Sequence, residues 1–300
     1  MKKQVLAIIL AFAFSSLSAQ LTSKKGEPYL PEQGDWSFGI DATPFLNYVG
    51  NMLSIGGNFA PTQQFLNSQQ TIIGKYFVTE NKAYRGILRI GLSSRNWTND
   101  IGQWGATAPV YPALPTLVQD EYTEKSSFIG IGGGMEWRRG STRLQGYYGG
   151  DLMISFSNSG RTYSYGNALN DTVSLFALTS SFADTSTNIP SNFSTDTYGN
   201  DGRLTEVKDG SSFGLTLRGF IGVEYFICPK ISLAGEFGWG VSFMSMGVSS
   251  RSLESIGDNG TAFVVGEQTI ESNSRGGFMV DTDRNLTGTT TGALRLNFHF

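Results

Sequence analysis

In the alternating segments of this chain, every charged side chain falls on one parity. Asp41, Lys75, Arg85, Arg89, Glu136, Arg138, Arg143, Asp151, Arg218, Glu224, Glu236 and Arg295 share that parity with glycines and small polar residues. The opposite parity carries Leu, Ile, Val and aromatic residues. A period of two is the signature of a strand with two unlike faces. A soluble sandwich turns its apolar face inward and its charges to water. A membrane barrel does the reverse, because a basic residue facing lipid near the midplane costs about 2–4 kcal/mol. Alternation alone fits both, so the order of the segments has to decide.

Eight segments alternate: 35–43, 70–78, 84–93, 126–138, 143–156, 212–226, 231–244 and 287–300. The connections between them run long, short, long, short, long, short, long. That pattern predicts an all-β, antiparallel up-and-down transmembrane barrel over residues 35–300. Its short turns lie at one end, with both termini, and its long loops 44–69, 94–125, 157–210 and 245–286 lie at the other. Ten strands is the alternative, with Ala262–Val265 and Gly276–Val280 as the extra pair. Eight is preferred, because the first of these is ragged in its alternation and is followed by Glu267 and Glu271.

The first residues set the compartment. Met1-Lys2-Lys3 is basic, Val5 to Phe14 is apolar, and Ser15 to Ala19 is small and polar apart from Leu17. Residues 1–19 therefore predict a secretory signal peptide, cut after Ala19 or alternatively Ser18. The apolar run is too short for a membrane anchor. Residues 20–34 are polar with two prolines and predict a periplasmic lead-in with little structure. No later apolar run reaches transmembrane-helix length, yet the chain holds 38 Gly, 21 Phe, 12 Tyr and 5 Trp, a composition that suits a barrel. A net charge of −3 leaves no footprint for nucleic acid. Cys228 is the single cysteine, so no intramolecular disulfide and no zinc cluster is expected.

An eight-stranded barrel is just wide enough for side chains to fill it, and charges buried there must pair. Counting up from the short turns predicts a lumen network of Asp41, Arg295 and Glu236, with Arg89–Glu136 as a second pair. A filled polar core is preferred over a gate or narrow pore. Outward Trp36, Tyr84, Trp137, Tyr148, Tyr225, Trp239 and Phe298 predict interfacial aromatic belts. The last segment has Leu294, Leu296, Phe298 and Phe300 on one face and Arg295, Asn297 and His299 on the other. It is the expected closing strand, and a one-residue slip would expose Arg295 to lipid.

A search for chemistry returns little. His299 is the one histidine, it lies next to the periplasmic end, and it faces inward with no external nucleophile in reach. This disfavours hydrolase or acyltransferase chemistry. Asp281, Asp283 and Asn285 lack the glycine and glutamate of a calcium loop and read as solvated loop. No catalytic residue, metal ligand or cofactor is expected.

The signal, the eight strands, the short inner turns, the long outer loops and the terminal Phe300 resemble the OmpA/OmpX-type small outer-membrane barrels. The resemblance is architectural and spans nearly the whole mature chain. It implies an outer-membrane location, Phe300 as an insertion signal read by the barrel-insertion machinery, and contact with membrane lipid and lipopolysaccharide. A fold of this kind does not fix a function. The expected role is structural or surface-interacting: the external loops meet a protein partner, or the barrel is a subunit of a larger assembly. A narrow channel for small solutes is the alternative, and a lipid-modifying enzyme is the weakest reading.

Overall fold

The structure, a computed structural model, describes residues 21–23, 25–42, 71–170, 191–281 and 293–300. The expected signal peptide, the expected loop 44–69 and residues 282–292 lie outside them. The described residues form thirteen strands and no helix: β1 Trp36–Asp41, β2 Thr71–Thr79, β3 Lys82–Gly102, β4 Leu117–Arg139, β5 Leu144–Ser164, β6 Phe193–Thr195 and β7 Asp201–Lys208 come first. β8 Ser212–Cys228, β9 Ile231–Met246, β10 Ser250–Asp258, β11 Phe263–Glu271, β12 Arg275–Asp281 and β13 Ala293–His299 follow.

Eight of these close a ring in the order β1-β2-β3-β4-β5-β8-β9-β13, every neighbour antiparallel. The last strand closes on the first with Ser37 opposite His299 and Asp41 opposite Arg295. The expected eight-stranded architecture is what forms. Side chains alternate as the charge parity requires: Lys75, Arg85, Glu136, Asp151, Arg218 and Glu236 are buried, while Ile131 (62%) and Leu217 (63%) stand exposed on the outside.

The remaining strands correct the reading of the long connections. β3 and β4 stay paired from Lys82 opposite Trp137 to Gly102 opposite Leu117, so much of 94–125 is strand and not loop. β7 and β8 are two pieces of one descending strand, both paired with β5. β9 and β10 continue each other in the same way, as do β11 and β12: β10 pairs with β7 and β11, and β12 pairs with the top of β9. The chain steps at three levelled points, 209–211, 247–249 and 272–274. The step is stitched by Asp209 N–H to Ser159 O (3.0 Å), Gly247 N–H to Ser211 O (2.8 Å) and Ser272 N–H to Ser249 O (2.8 Å). Above it, β3, β4, β5, β7, β10 and β11 form an upper sheet, with β6 on β7. The segments behind the ten-strand alternative therefore add no strand to the ring. β11 lies in the upper sheet, and β12 shares the edge of β9 with β13.

The upper sheet has its own core on the continuation of the lumen face. Tyr122, Tyr163, Leu204 and Leu253 are buried together, with Trp97, Tyr165, Val207 and Ile270 against them. The lead-in is also more ordered than expected. Tyr29 bonds to Leu21 and Lys230 through the backbone, Gly34 N–H donates to Phe77 O (2.8 Å), and the Arg143 guanidinium lies 3.5 Å from the Tyr29 ring centre. This segment folds across the end of the barrel where the short turns lie.

Candidate functional site

The lumen is the most heavily charged volume of the structure, and it is filled. Four carboxylates, Glu136, Asp151, Glu224 and Glu236, meet five basic groups, Lys75, Arg85, Arg138, Arg218 and Arg295, and each carboxylate has at least two cationic neighbours. Glu236 is the hub of the upper half, 3.0 Å from Arg85 and 2.8 Å from both Arg218 and Arg295. Glu224 organises the lower half: Arg138 lies at 2.6 Å, Asn297 donates from Nδ2 at 2.6 Å, and Ser232 Oγ donates to it as well. In the closed ring β3 faces β9, and β2 faces β8. Arg85–Glu236 and the longer Lys75–Glu224 contact (3.8 Å) therefore cross the barrel from wall to wall. Burying these charges is tolerable only because they are paired and hydrogen-bonded. Rings seal the network on both sides: Phe220 under Arg85 (3.9 Å), and Phe77 and Phe226 flanking Arg138 and His299.

Of the expected network, Arg295 meets Glu236, and Asp41 stands opposite Arg295 in the β1–β13 register. The Asp41 side chain lies outside what the structure describes. The expected Arg89–Glu136 pair is corrected. Arg89 stands opposite Gly130 and over the Phe128 ring (4.8 Å), whereas Glu136 stands opposite Ala83. Six strand residues separate the two levels, about 20 Å of rise. Glu136 binds Lys75 (2.9 Å) and Arg138 (3.2 Å) instead. Lys75, Arg85, Arg138, Asp151, Arg218 and Glu224 were placeable on the lumen face from parity, but not pairable. Pairing across the ring depends on strand stagger, which no single segment encodes.

His299 has neighbours that sequence reasoning did not supply. Its Nε2 lies 3.1 Å from Ser232 Oγ and 3.3 Å from Glu224 Oε1. Both groups meet the same ring nitrogen, so the serine–imidazole–carboxylate relay, which needs the two nitrogens to face different partners, is not formed. All three residues are buried.

Two aromatic tiers mark the outer wall. Near the short turns, Trp36 packs on Tyr76 (5.0 Å) and Trp137 stacks on Tyr148 (5.9 Å), with Tyr84, Tyr225 and Phe298 at strand ends beside them. Trp239 is eight residues along β9 from Ile231, well above this tier. The second tier, which was not anticipated, holds Phe156 against Phe213 (5.2 Å), with Phe243 and Phe278 exposed at similar height. Along β5 the two tiers are eight residues apart, roughly 20 Å for a tilted strand. Phe300 closes the lower tier through a pair of backbone hydrogen bonds with Trp36 (2.8 and 2.9 Å).

In the upper sheet, Asp196 ties the β6–β7 turn. Burial alone would raise its pKa. The Asn200 side chain, the Ser255 hydroxyl and the backbone N–H groups of Asn200 and Tyr198 outweigh that and hold it at about 2. A depressed carboxylate pKa stabilises the fold above its unfolded value of 3.8, and that contribution is lost as pH falls through about 2. The protection factors of the Tyr198 and Asn200 amides, each taken against the unstructured peptide at the same pH, are therefore expected to hold at pH 5 and to fall toward pH 2. Asp196→Ala should show the lowered protection factors at both.

The fold is thus an eight-stranded antiparallel up-and-down β-barrel with a strand-built upper sheet. No protein-family model matches the chain, and no curated protein matches it. Among solved structures, the outer membrane protein OprG from Pseudomonas aeruginosa is similar at 11% identity and a TM-score of 0.27, over 91% of this chain and 98% of that one.

Proposed function

We propose that the protein is an integral outer-membrane barrel that holds its upper sheet at the cell surface for interaction, with a lumen that does not conduct. The membrane part of this reading is supported by the outward apolar wall between two aromatic tiers, whose separation approaches the roughly 25 Å band of outer-membrane barrels. The closed lumen is supported by one observation above the others: Arg85 reaches Glu236 across the full width of the ring at 3.0 Å. A side-to-side bridge inside an eight-stranded barrel leaves no continuous water path. Surface interaction, rather than catalysis, is supported by the burial of His299 and by the build of the exposed end, where strands and an aromatic core replace simple loops. Both termini then face the periplasm, and Phe300 serves as the insertion signal.

Two measurements test this. An epitope inserted after Tyr198, an exposed position in the upper sheet, is expected to be labelled on intact cells; the same epitope after Ser141, in a short turn, should be labelled only after permeabilisation. In planar bilayers the purified protein is expected to give no unitary current steps. Sustained steps that change with Arg295→Met would establish the channel reading instead.

A further inference from the structure

A cavity of about 450 Å³ opens on the outside of the wall at the level of the chain step. Its lining alternates with the lumen face. Lys125 and Ser127 of β4, Asn158 and Thr162 of β5, Lys208 of β7 and Ser250 of β10 all belong to the outward parity. Lys125, Gly160, Lys208 and Ser250 stand in one cross-strand row. Gly160 between the two lysines presents no side chain, and a Cβ there would come within 3.0 Å of Val207 O. The two lysines therefore flank a bare floor. Their strands lie about 10 Å apart, close enough for two flexible ammonium groups to converge on one anion. Gly210 and Ser211, with Val248, line its lower edge at the chain step, between the lysine row and the top of β8. Lys208 has one acidic neighbour, Glu206, at 2.8 Å, and both side chains remain solvent-accessible.

What lies below the cavity identifies the ligand. Two residues down each strand are Ile129, Phe156 and Phe213, all exposed and outward. They form the upper aromatic tier, the top of the apolar wall. A basic, hydroxyl-lined recess directly above an apolar shelf matches an amphiphile with a phosphorylated headgroup: phosphate between Lys125 and Lys208, acyl chain against Phe156 and Ile129. Charge-assisted hydrogen bonds from two ammoniums suit a phosphate dianion or diester.

We propose that this recess is a binding site for the phosphorylated headgroup of an outer-leaflet lipid. The proposal rests on the membrane reading above. The shared chemistry, a phosphate between two lysines, could also be met by a free anion, and the test separates the two. The full-length protein in neutral detergent micelles is titrated with bisphosphorylated lipid A, with phosphatidylcholine or with inorganic phosphate, and bound species are counted by native mass spectrometry. One lipid A is expected to bind and phosphatidylcholine is not. Lys125→Gln with Lys208→Gln should weaken that binding about tenfold, while Arg139→Gln at a short turn should leave it unchanged. Millimolar inorganic phosphate should not compete, since it lacks the apolar contact. Competition at that level would assign the site to a free anion and overturn the lipid proposal. Unchanged lipid A binding in the double variant would overturn the site itself. A second variant, Gly160→Leu, which fills the floor and keeps both charges, should lose binding as well. Flotation of the wild type and each variant with phosphatidylcholine vesicles runs beside the titration. Wild type that fails to float refutes the membrane reading, whereas variants that float without binding lipid A support the site.

Discussion

Replacing Glu236 with leucine is expected to cost the barrel about 3–5 kcal/mol, the largest single effect in the lumen. One carboxylate there faces three arginines, Arg85, Arg218 and Arg295, and its removal leaves three cations within one buried cluster. Arg218 and Arg85 retain Asp151, at 3.2 and 3.5 Å, whereas Glu236 is the carboxylate that pairs directly with Arg295 among the described side chains. Urea unfolding in phospholipid vesicles, followed by the loss of heat-modifiable gel mobility, measures the change. Glu236→Gln keeps the volume and should still cost most of the effect, because charge and not shape is what the arginines require. Adding Arg295→Met to Glu236→Leu should recover part of the loss, since the pair then leaves together. A change below about 1 kcal/mol for Glu236→Leu would mean that water reaches these groups, and the closed-lumen reading would fall with it.

The sequence carried much of this arrangement, and the reason it stopped where it did is physical. An apolar outer face and a charged inner face impose a parity on every residue of the ring, so its register could be anticipated down to Asp41 opposite Arg295. Above the wall that constraint ends. Strands such as Ser93–Gly102 and Leu117–Lys125 have water on one side and a thin aromatic core on the other, so Ser, Thr, Asn and Glu fill them as they would fill a loop. Their pairing partners, and not their hydropathy, make them strands. Tyr122 and Tyr163 were the available signal. They continue the lumen parity of β4 and β5 without a break, seven residues beyond Ile129 and Phe156 at the top of the apolar wall. The lumen shows the complementary limit. Parity told which charges point inward, but the stagger of the ring decided that Glu136 meets Lys75 and not Arg89.

Glycine is where parity is least informative, because it fits either face, and it supports the second large effect. Gly238 lies on the lumen side of β9, and a Cβ at that position would fall inside contact distance of the Arg218 guanidinium. The missing side chain is the space through which Arg218 reaches Asp151 and Glu236. Gly238→Val should therefore push Arg218 off both carboxylates and destabilise the barrel by about 2–4 kcal/mol, combining steric displacement with a broken buried pair. Gly235, three residues earlier and on the outward parity, has nothing within 4 Å of its Cβ position. Gly235→Val adds an apolar group to the outer wall and should change stability by less than about 0.5 kcal/mol. The two substitutions are the same change of composition on one strand. If they had equal effects, strand propensity would explain both and the lumen packing neither. A large cost at 238 that shrinks when Arg218→Met is added would locate it in the space the guanidinium occupies.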